Sequence, residues 1–106
     1  MLNTEALTVE ASRAPAYINL DNRALILNDG LRATMLPSAT FPWLAETLSL
    51  LLEEKRATRS QHQHVFGGVV RKDGSVTLYA GAPNELVSVV TTAQALTDLL
   101  AKLRRR

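Results

Sequence analysis

The sequence predicts an α+β domain made of two similar units, each with three antiparallel strands followed by an amphipathic helix. Two Asp-Gly dipeptides, Asp29-Gly30 and Asp73-Gly74, each lie between β-rich runs, which is a strong signal for a hairpin turn. Leucines recur at spacings of three and four after each hairpin, which is the helical period. We expect antiparallel sheets packed against two helices, because neither unit can cover its own apolar faces.

The first unit spans residues 15–57, with a strand at Tyr17–Leu20 and a hairpin whose tip is Asp29-Gly30. Strand alternation places Leu25 and Leu27 on the face opposite Ile26. A proline then ends the strand, and a helix begins near residues 38–40 and continues to about residue 55. Residues 1–14 are expected to be flexible or to form an edge strand.

The second unit spans residues 62–106, after a polar link at residues 57–61. A two-residue turn at Asp73-Gly74 would place Arg71 opposite Val76 and Gly68 opposite Tyr79. A third strand follows at residues 85–90, and Thr91 is expected to cap the last helix. In this register the core face carries Val65, Gly67, Val69, Val76, Leu78 and Ala80, and the solvent face carries His64, Phe66, Gly68, Val70, Lys72, Ser75, Thr77 and Tyr79.

The composition indicates one globular domain without disulfide bonds. The chain has 106 residues, 46% of them hydrophobic, and it contains no cysteine. The absence of cysteine excludes a disulfide scaffold and thiolate metal sites. No apolar run approaches the ~20 residues of a membrane span, and no signal peptide is recognisable. We therefore expect a cytoplasmic protein that does not enter a membrane.

The charge is unevenly distributed between the two halves of the chain. Residues 1–54 contain three arginines against seven acidic residues, and residues 55–106 contain nine basic residues against three acidic ones. The basic second half favours a negatively charged partner. It is also compatible with attraction between the two halves or between two subunits.

The solvent face of the second hairpin is the candidate binding site. Phe66 and Tyr79 would share this face with His64 and Lys72. Flat rings beside cations suit unpaired nucleic acid, because every base has a π-face and every phosphate a charge. The alternative is that both rings pack under a loop or in a dimer contact.

No constellation predicts catalysis. His62 and His64 have a spacing that could chelate a metal, but no third ligand is evident, so no metal site is predicted. Ser60 and Ser75 lack a convincing base, and no phosphate-binding loop is present. We therefore predict a protein that is not an enzyme and that uses no cofactor.

One stretch resembles a known family. Residues Ala33–Lys55, ATMLPSATFPWLAETLSLLLEEK, contain an apolar strand, Leu-Pro, a short cap, an aromatic residue and leucines at helical spacing. This passage resembles the strand-to-helix junction of the Whirly and Pur-type single-stranded nucleic-acid-binding proteins. Leu86–Leu103 is a weaker second copy without Leu-Pro or the aromatic residue. The resemblance implies a homodimer with curved sheets that grip unpaired strands, with Arg32, His64, Phe66, Arg71, Lys72 and Tyr79 as the candidate contacts.

Two functions follow as hypotheses. The first is an accessory or regulatory protein that binds single-stranded DNA or RNA on a sheet face. The second is a non-enzymatic module for protein–protein interaction or dimerisation, which would use the same face.

Overall fold

The computed structural model describes residues 7–10, 16–61 and 63–105. It contains two antiparallel sheets of four strands each, and each sheet is followed by an α-helix. In both sheets the spatial order of the strands is their order along the chain. Sheet 1 comprises β1 (Leu7–Glu10), β2 (Tyr17–Leu20), β3 (Ala24–Asn28) and β4 (Ala33–Pro37), followed by a short 3-10 turn (Ser38–Thr40) and α1 (Phe41–Glu54). Sheet 2 comprises β5 (Arg56–Gln61), β6 (His64–Val70), β7 (Ser75–Ala82) and β8 (Glu85–Thr92), followed by α2 (Ala93–Arg104).

The predicted α+β class is confirmed, but each sheet has four strands rather than three. The expected polar link after α1 is wrong, because Arg56–Gln61 forms the edge strand β5 and pairs with β6. In this strand only Ala57 is buried. Because only one side chain of this edge strand is buried, its sequence contains few apolar residues, and hydrophobic alternation did not reveal the strand. At the other end of the chain, β1 pairs with β2.

The hairpin at Asp29-Gly30 has a longer loop than a two-residue turn. Asn28 faces Ala33, so residues 29–32 form the loop. The Asp29 carboxylate accepts hydrogen bonds from the backbone of Leu31 and Arg32, at 2.8 Å each. Leu25 and Leu27 lie on the buried face of the sheet, opposite Ile26.

Helix α1 packs on sheet 2, although it follows sheet 1 in the chain. The ring centroids of Trp43 and Phe66 are 6.4 Å apart, and a Cβ added at Gly68 would lie 3.0 Å from the Leu51 side chain. One continuous core therefore contains residues from both sheets and both helices. We define the inner face of each sheet as the face that contributes to this core and the outer face as the opposite one.

The cap of α2 lies one residue later than predicted. The side chain of Thr92, not Thr91, accepts the hydrogen bond from the backbone N–H of Ala95 at 3.1 Å. Strand β8 extends through Thr92, so Thr91 still belongs to the sheet. In the described part of the chain, neither helix is long and apolar enough to cross a bilayer.

The register of β6 against β7 differs by one residue from the predicted one. The Arg71 N–H donates to the Ser75 carbonyl at 2.8 Å, and the Gly74 N–H donates to the Arg71 carbonyl at 3.0 Å. Gly74 has φ +89°, so the loop has three residues, 72–74, and ends with a glycine at positive φ. Val70 therefore faces Val76, and Gly67 rather than Gly68 faces Tyr79.

This shift turns β6 over, because side chains alternate with a period of two. Phe66 joins Leu78 and Ala80 on the inner face, and all three side chains have 0% exposure. The prediction that Phe66 faces solvent is wrong. Tyr79 keeps its place on the outer face, where it is half-buried.

Replacing Phe66 by alanine should lower the free energy of unfolding by about 3–5 kcal/mol, because it leaves a cavity beside Trp43. Urea denaturation followed by Trp43 fluorescence measures this value, and Phe66→Leu should cost less. A loss below about 1 kcal/mol for Phe66→Ala would contradict the buried position.

Candidate nucleic-acid interface

A row of four residues crosses the outer face of sheet 2. Register places Thr58 beside Gly67, Gly67 beside Tyr79, and Tyr79 beside Ser88. We call these four residues the tyrosine row. The Tyr79 hydroxyl and the Thr58 hydroxyl are hydrogen-bonded to each other. The Tyr79 side chain therefore reaches from β7 across β6 to β5, passing Gly67.

The absence of a side chain at Gly67 allows β5 and β6 to approach each other closely. A Cβ at Gly67 would lie 2.3 Å from the Ala57 carbonyl oxygen and 2.8 Å from the Thr58 hydroxyl oxygen. No real Cβ has room at such distances, so this position requires glycine whatever its backbone angles. The same missing side chain leaves bare backbone beneath the Tyr79 side chain.

Four cations lie at one end of this face. The Val70 N–H donates to the Lys55 carbonyl at 2.8 Å, and Arg56 faces Val69, so the α1–β5 junction lies beside the β6–β7 turn. Lys55 and Arg56 at the junction and Arg71 and Lys72 at the turn are all exposed. We call these four residues the cationic end. Flexible cations beside a flat ring can bind phosphates while a base stacks.

The turn also carries a carboxylate, Asp73. It accepts hydrogen bonds from the Ser75 hydroxyl at 2.7 Å and from the Ser75 N–H at 2.9 Å. These bonds, with a smaller contribution from Arg71, lower the pKa of Asp73 below its usual value. The carboxylate therefore stabilises the turn through its two hydrogen bonds to Ser75, and it remains charged at neutral pH.

The six predicted contacts do not form one cluster. Tyr79, Arg71 and Lys72 lie on or beside the outer face of sheet 2. His64 begins β6, is half-buried and shares the alternation of the inner-face Phe66. Arg32 belongs to the β3–β4 loop and donates to the Leu86 carbonyl at 3.2 Å.

Sequence reasoning missed Thr58, Gly67, Lys55 and Arg56 as members of this surface. The first two became visible only with the correct register and the recognition of β5. Residue 62 lies outside the described residues, so the His62–His64 pair has no structural description. In the described segments, no three His, Cys, Asp or Glu side chains are grouped so as to hold a metal ion.

The chain matches no family model and no curated protein. Its structure is similar to a chain in crystal structures of MRP1/MRP2 from Trypanosoma brucei, with a TM-score of 0.49 and 10% identity. The similarity covers 94% of this chain and 82% of that chain. A likeness at this level does not bear on function.

Replacing Gly67 by alanine should lower the free energy of unfolding by more than about 1 kcal/mol, because the new methyl group collides with backbone atoms of β5. Denaturant titration measures the loss. Gly74→Ala tests a different cause, since a Cβ there meets nothing within 4 Å and stability is lost only through the strain of a side chain at positive φ. Wild-type stability in Gly67→Ala would contradict the close approach of β5 and β6.

Replacing Ser75 by alanine should raise the pKa of Asp73 toward its ordinary value, because it removes the hydroxyl donor that lowers this pKa most. A carboxyl group whose pKa is lowered by folding stabilises the folded state at pH values above its ordinary pKa. This contribution disappears as the pH falls through the lowered pKa. NMR titration of the Asp73 side-chain carbon reports the pKa directly. An unchanged midpoint would show that the hydroxyl does not stabilise the carboxylate.

Proposed function

We propose that this chain binds single-stranded DNA or RNA on the outer face of sheet 2, as a non-enzymatic accessory or regulatory protein. The observation that carries the proposal is the Tyr79 side chain, which lies across Gly67 and is hydrogen-bonded to Thr58, with Arg56 of the cationic end one same-face position along β5 from Thr58. A base would stack on the ring while Arg71 and Lys72 contact the phosphates on either side.

The packing of α1 supports this location. Helix α1 covers the inner face of sheet 2, through Trp43 against Phe66 and Leu51 against Gly68. Thr58 and Ser88, at the two ends of the tyrosine row, are exposed. A shallow, strand-lined surface of this kind suits an extended ligand, and the same surface in the cytoplasm would meet unpaired nucleic acid. The proposal extends to membership of the Whirly and Pur-type group, because residues Ala33–Lys55 resemble the strand-to-helix junction of that group.

Sheet 1 provides a matched control. Its outer face carries the other tyrosine, Tyr17, whose hydroxyl accepts a hydrogen bond of 3.4 Å from the Asn28 amide. The outer-face side chains of β2, β3 and β4 carry no charge. Tyr17 therefore resembles Tyr79 in residue type and placement, but strands β2, β3 and β4 contain no lysine or arginine.

Replacing Tyr79 by leucine should weaken binding of a fluorescein-labelled single-stranded oligonucleotide by roughly 1–3 kcal/mol, because stacking is lost. Fluorescence anisotropy measures the affinity. Tyr17→Leu should leave it unchanged, and Tyr79→Phe should retain most of it. Equal losses for Tyr17→Leu and Tyr79→Leu would place the nucleic acid elsewhere, and no binding at low salt would refute the function.

The same assay across a salt series tests the cationic end. Each phosphate contact contributes about −0.7 to the slope of log affinity against log salt for single strands. Arg71→Ala with Lys72→Ala should therefore make the slope about 1.4 units shallower. Arg104→Ala with Arg105→Ala removes the same number of charges from the end of α2 and should not change the slope.

A protein-interaction role is the second candidate function. It is favoured by two apolar side chains of the β3–β4 hairpin, Leu31 and Met35, which are 91% and 61% exposed. These side chains belong to sheet 1 and its loop, not to the outer face of sheet 2, where the sequence-based hypothesis placed the partner.

A further inference from the structure

We propose that the groove between the free edge of β8 and sheet 1 binds a single nucleobase, which the backbone of Ser88 and Val90 holds and Arg32 covers. This base groove is separate from the tyrosine row on the outer face of sheet 2. Three features carry the inference: unpaired backbone groups on β8, a confined space beside them, and an arginine that is fixed at one end of that space.

The backbone of β8 offers hydrogen-bonding groups on the edge that faces away from β7. Arg32 donates to the Leu86 carbonyl at 3.2 Å, so this carbonyl points away from β7. Because backbone groups alternate along an antiparallel strand, the N–H and C=O groups of Ser88 and Val90 point the same way. Among the described residues, β7 is the only strand that pairs with β8, and no other residue bonds to these groups of Ser88 and Val90.

The base groove has a volume of about 310 Å³. Its lining comes from sheet 1 through Ala16, Asp29 and Arg32, and from β8 through Leu86 and residues 88–90. Strands β3 and β4 pack against β8, so sheet 1 leaves no room for another strand along this edge. The volume lies at the lower end of the ~300–1,000 Å³ of small-molecule sites, which suits one flat ring system.

The unpaired groups of β8 define the chemistry of the ligand. The N–H and C=O of one edge residue project side by side, which is why two facing residues in a sheet exchange both of their hydrogen bonds. A ligand that bonds to both groups needs an acceptor next to a donor in one plane. The Watson–Crick edge of a nucleobase has this arrangement, as in N1 and the N6 amino group of adenine, and unpaired bases are commonly read on that edge.

Arg32 provides the second element of base recognition. Its guanidinium is held at the groove by the bond to Leu86, and its backbone N–H bonds to the Asp29 carboxylate at 2.8 Å. A guanidinium is planar and stacks on flat rings. The Asp29 carboxylate also lines the base groove, which disfavours a phosphate there. The ligand is therefore a base rather than an anion.

NMR titration with free nucleosides tests the base groove without any oligonucleotide. Adenosine, cytidine, guanosine and uridine are each added at millimolar concentration to isotope-labelled protein. At least one of them should shift the amide signals of Ala16 and Val90, which lie on the two sides of the groove. Ribose should shift neither signal, because it has no flat edge that carries a donor next to an acceptor.

Two substitutions separate binding in the groove from binding elsewhere. Val90→Pro removes an N–H that faces the groove but no hydrogen bond to β7, and proline is tolerated at such an edge position. It should abolish the shift of the Ala16 signal, whereas Ser88→Ala keeps every backbone group and should keep the shift. Arg32→Ala should weaken nucleoside binding, and Arg23→Ala, which removes an exposed arginine outside the groove, should not. Circular dichroism checks that each variant is folded.

A free nucleotide or a bound strand can supply the base, and the second source rests on the proposed function. Ser88 ends the tyrosine row, so a strand bound there passes over the β8 edge. If the strand supplies the base, an oligonucleotide should shift the Ala16 signal, and Val90→Pro should weaken oligonucleotide binding without changing the salt slope, because no phosphate contact is lost. If a free nucleotide supplies it, the oligonucleotide should leave the Ala16 signal in place.

The proposal is wrong if neither the nucleosides nor the oligonucleotide shifts the Ala16 and Val90 signals. It is also wrong if Val90→Pro and Arg32→Ala both bind nucleosides like the wild type. Either result leaves the proposed function standing, because that function is tested by Tyr79→Leu and the oligonucleotide alone.

Discussion

The rest of this structure depends on the turn between β6 and β7. Gly74 takes positive φ at the end of a three-residue loop, and the carboxylate of Asp73 is tied to the backbone and hydroxyl of Ser75. This turn fixes which residues of β6 face which residues of β7. Because a one-residue slip exchanges the two faces of a strand, the turn decides that Phe66 enters the core and that Gly67 lies beside Tyr79.

The two consequences of that register support each other. On the inner face, Phe66 fills the space next to Trp43, and Gly68 lets α1 approach the sheet. On the outer face, Gly67 brings β5 close, so that the Tyr79 hydroxyl reaches Thr58. The two glycines of β6 thus serve opposite faces of one strand: the first permits a fixed tyrosine, and the second permits a packed helix. Core packing and the candidate site are therefore set by the same few residues.

The sequence predicted the fold class and the hairpin tips, because Asp-Gly dipeptides and leucine spacing are local signals. It did not predict the register, because Asp73-Gly74 fits both a two-residue turn and the last two positions of a three-residue loop. It also missed β5, whose exposed side chains carry no apolar alternation. Tyr79 was correctly placed on the outer face, because its face follows from the alternation within β7 alone. Phe66 was placed wrongly, because its face was inferred from the assumed length of the turn.

The most direct test is the pattern of cross-strand Hα–Hα contacts in an NMR structure of the wild-type chain. The Arg71–Ser75 hydrogen bond makes Phe66–Ala80 and Gly68–Leu78 the closely spaced, non-hydrogen-bonded pairs. Strong Hα–Hα nuclear Overhauser effects should therefore join Phe66 to Ala80 and Gly68 to Leu78. Strong contacts from Gly67 to Ala80 and from Val69 to Leu78 instead would show the other register, in which these are the non-hydrogen-bonded pairs. That register would return Phe66 to the surface and contradict this account.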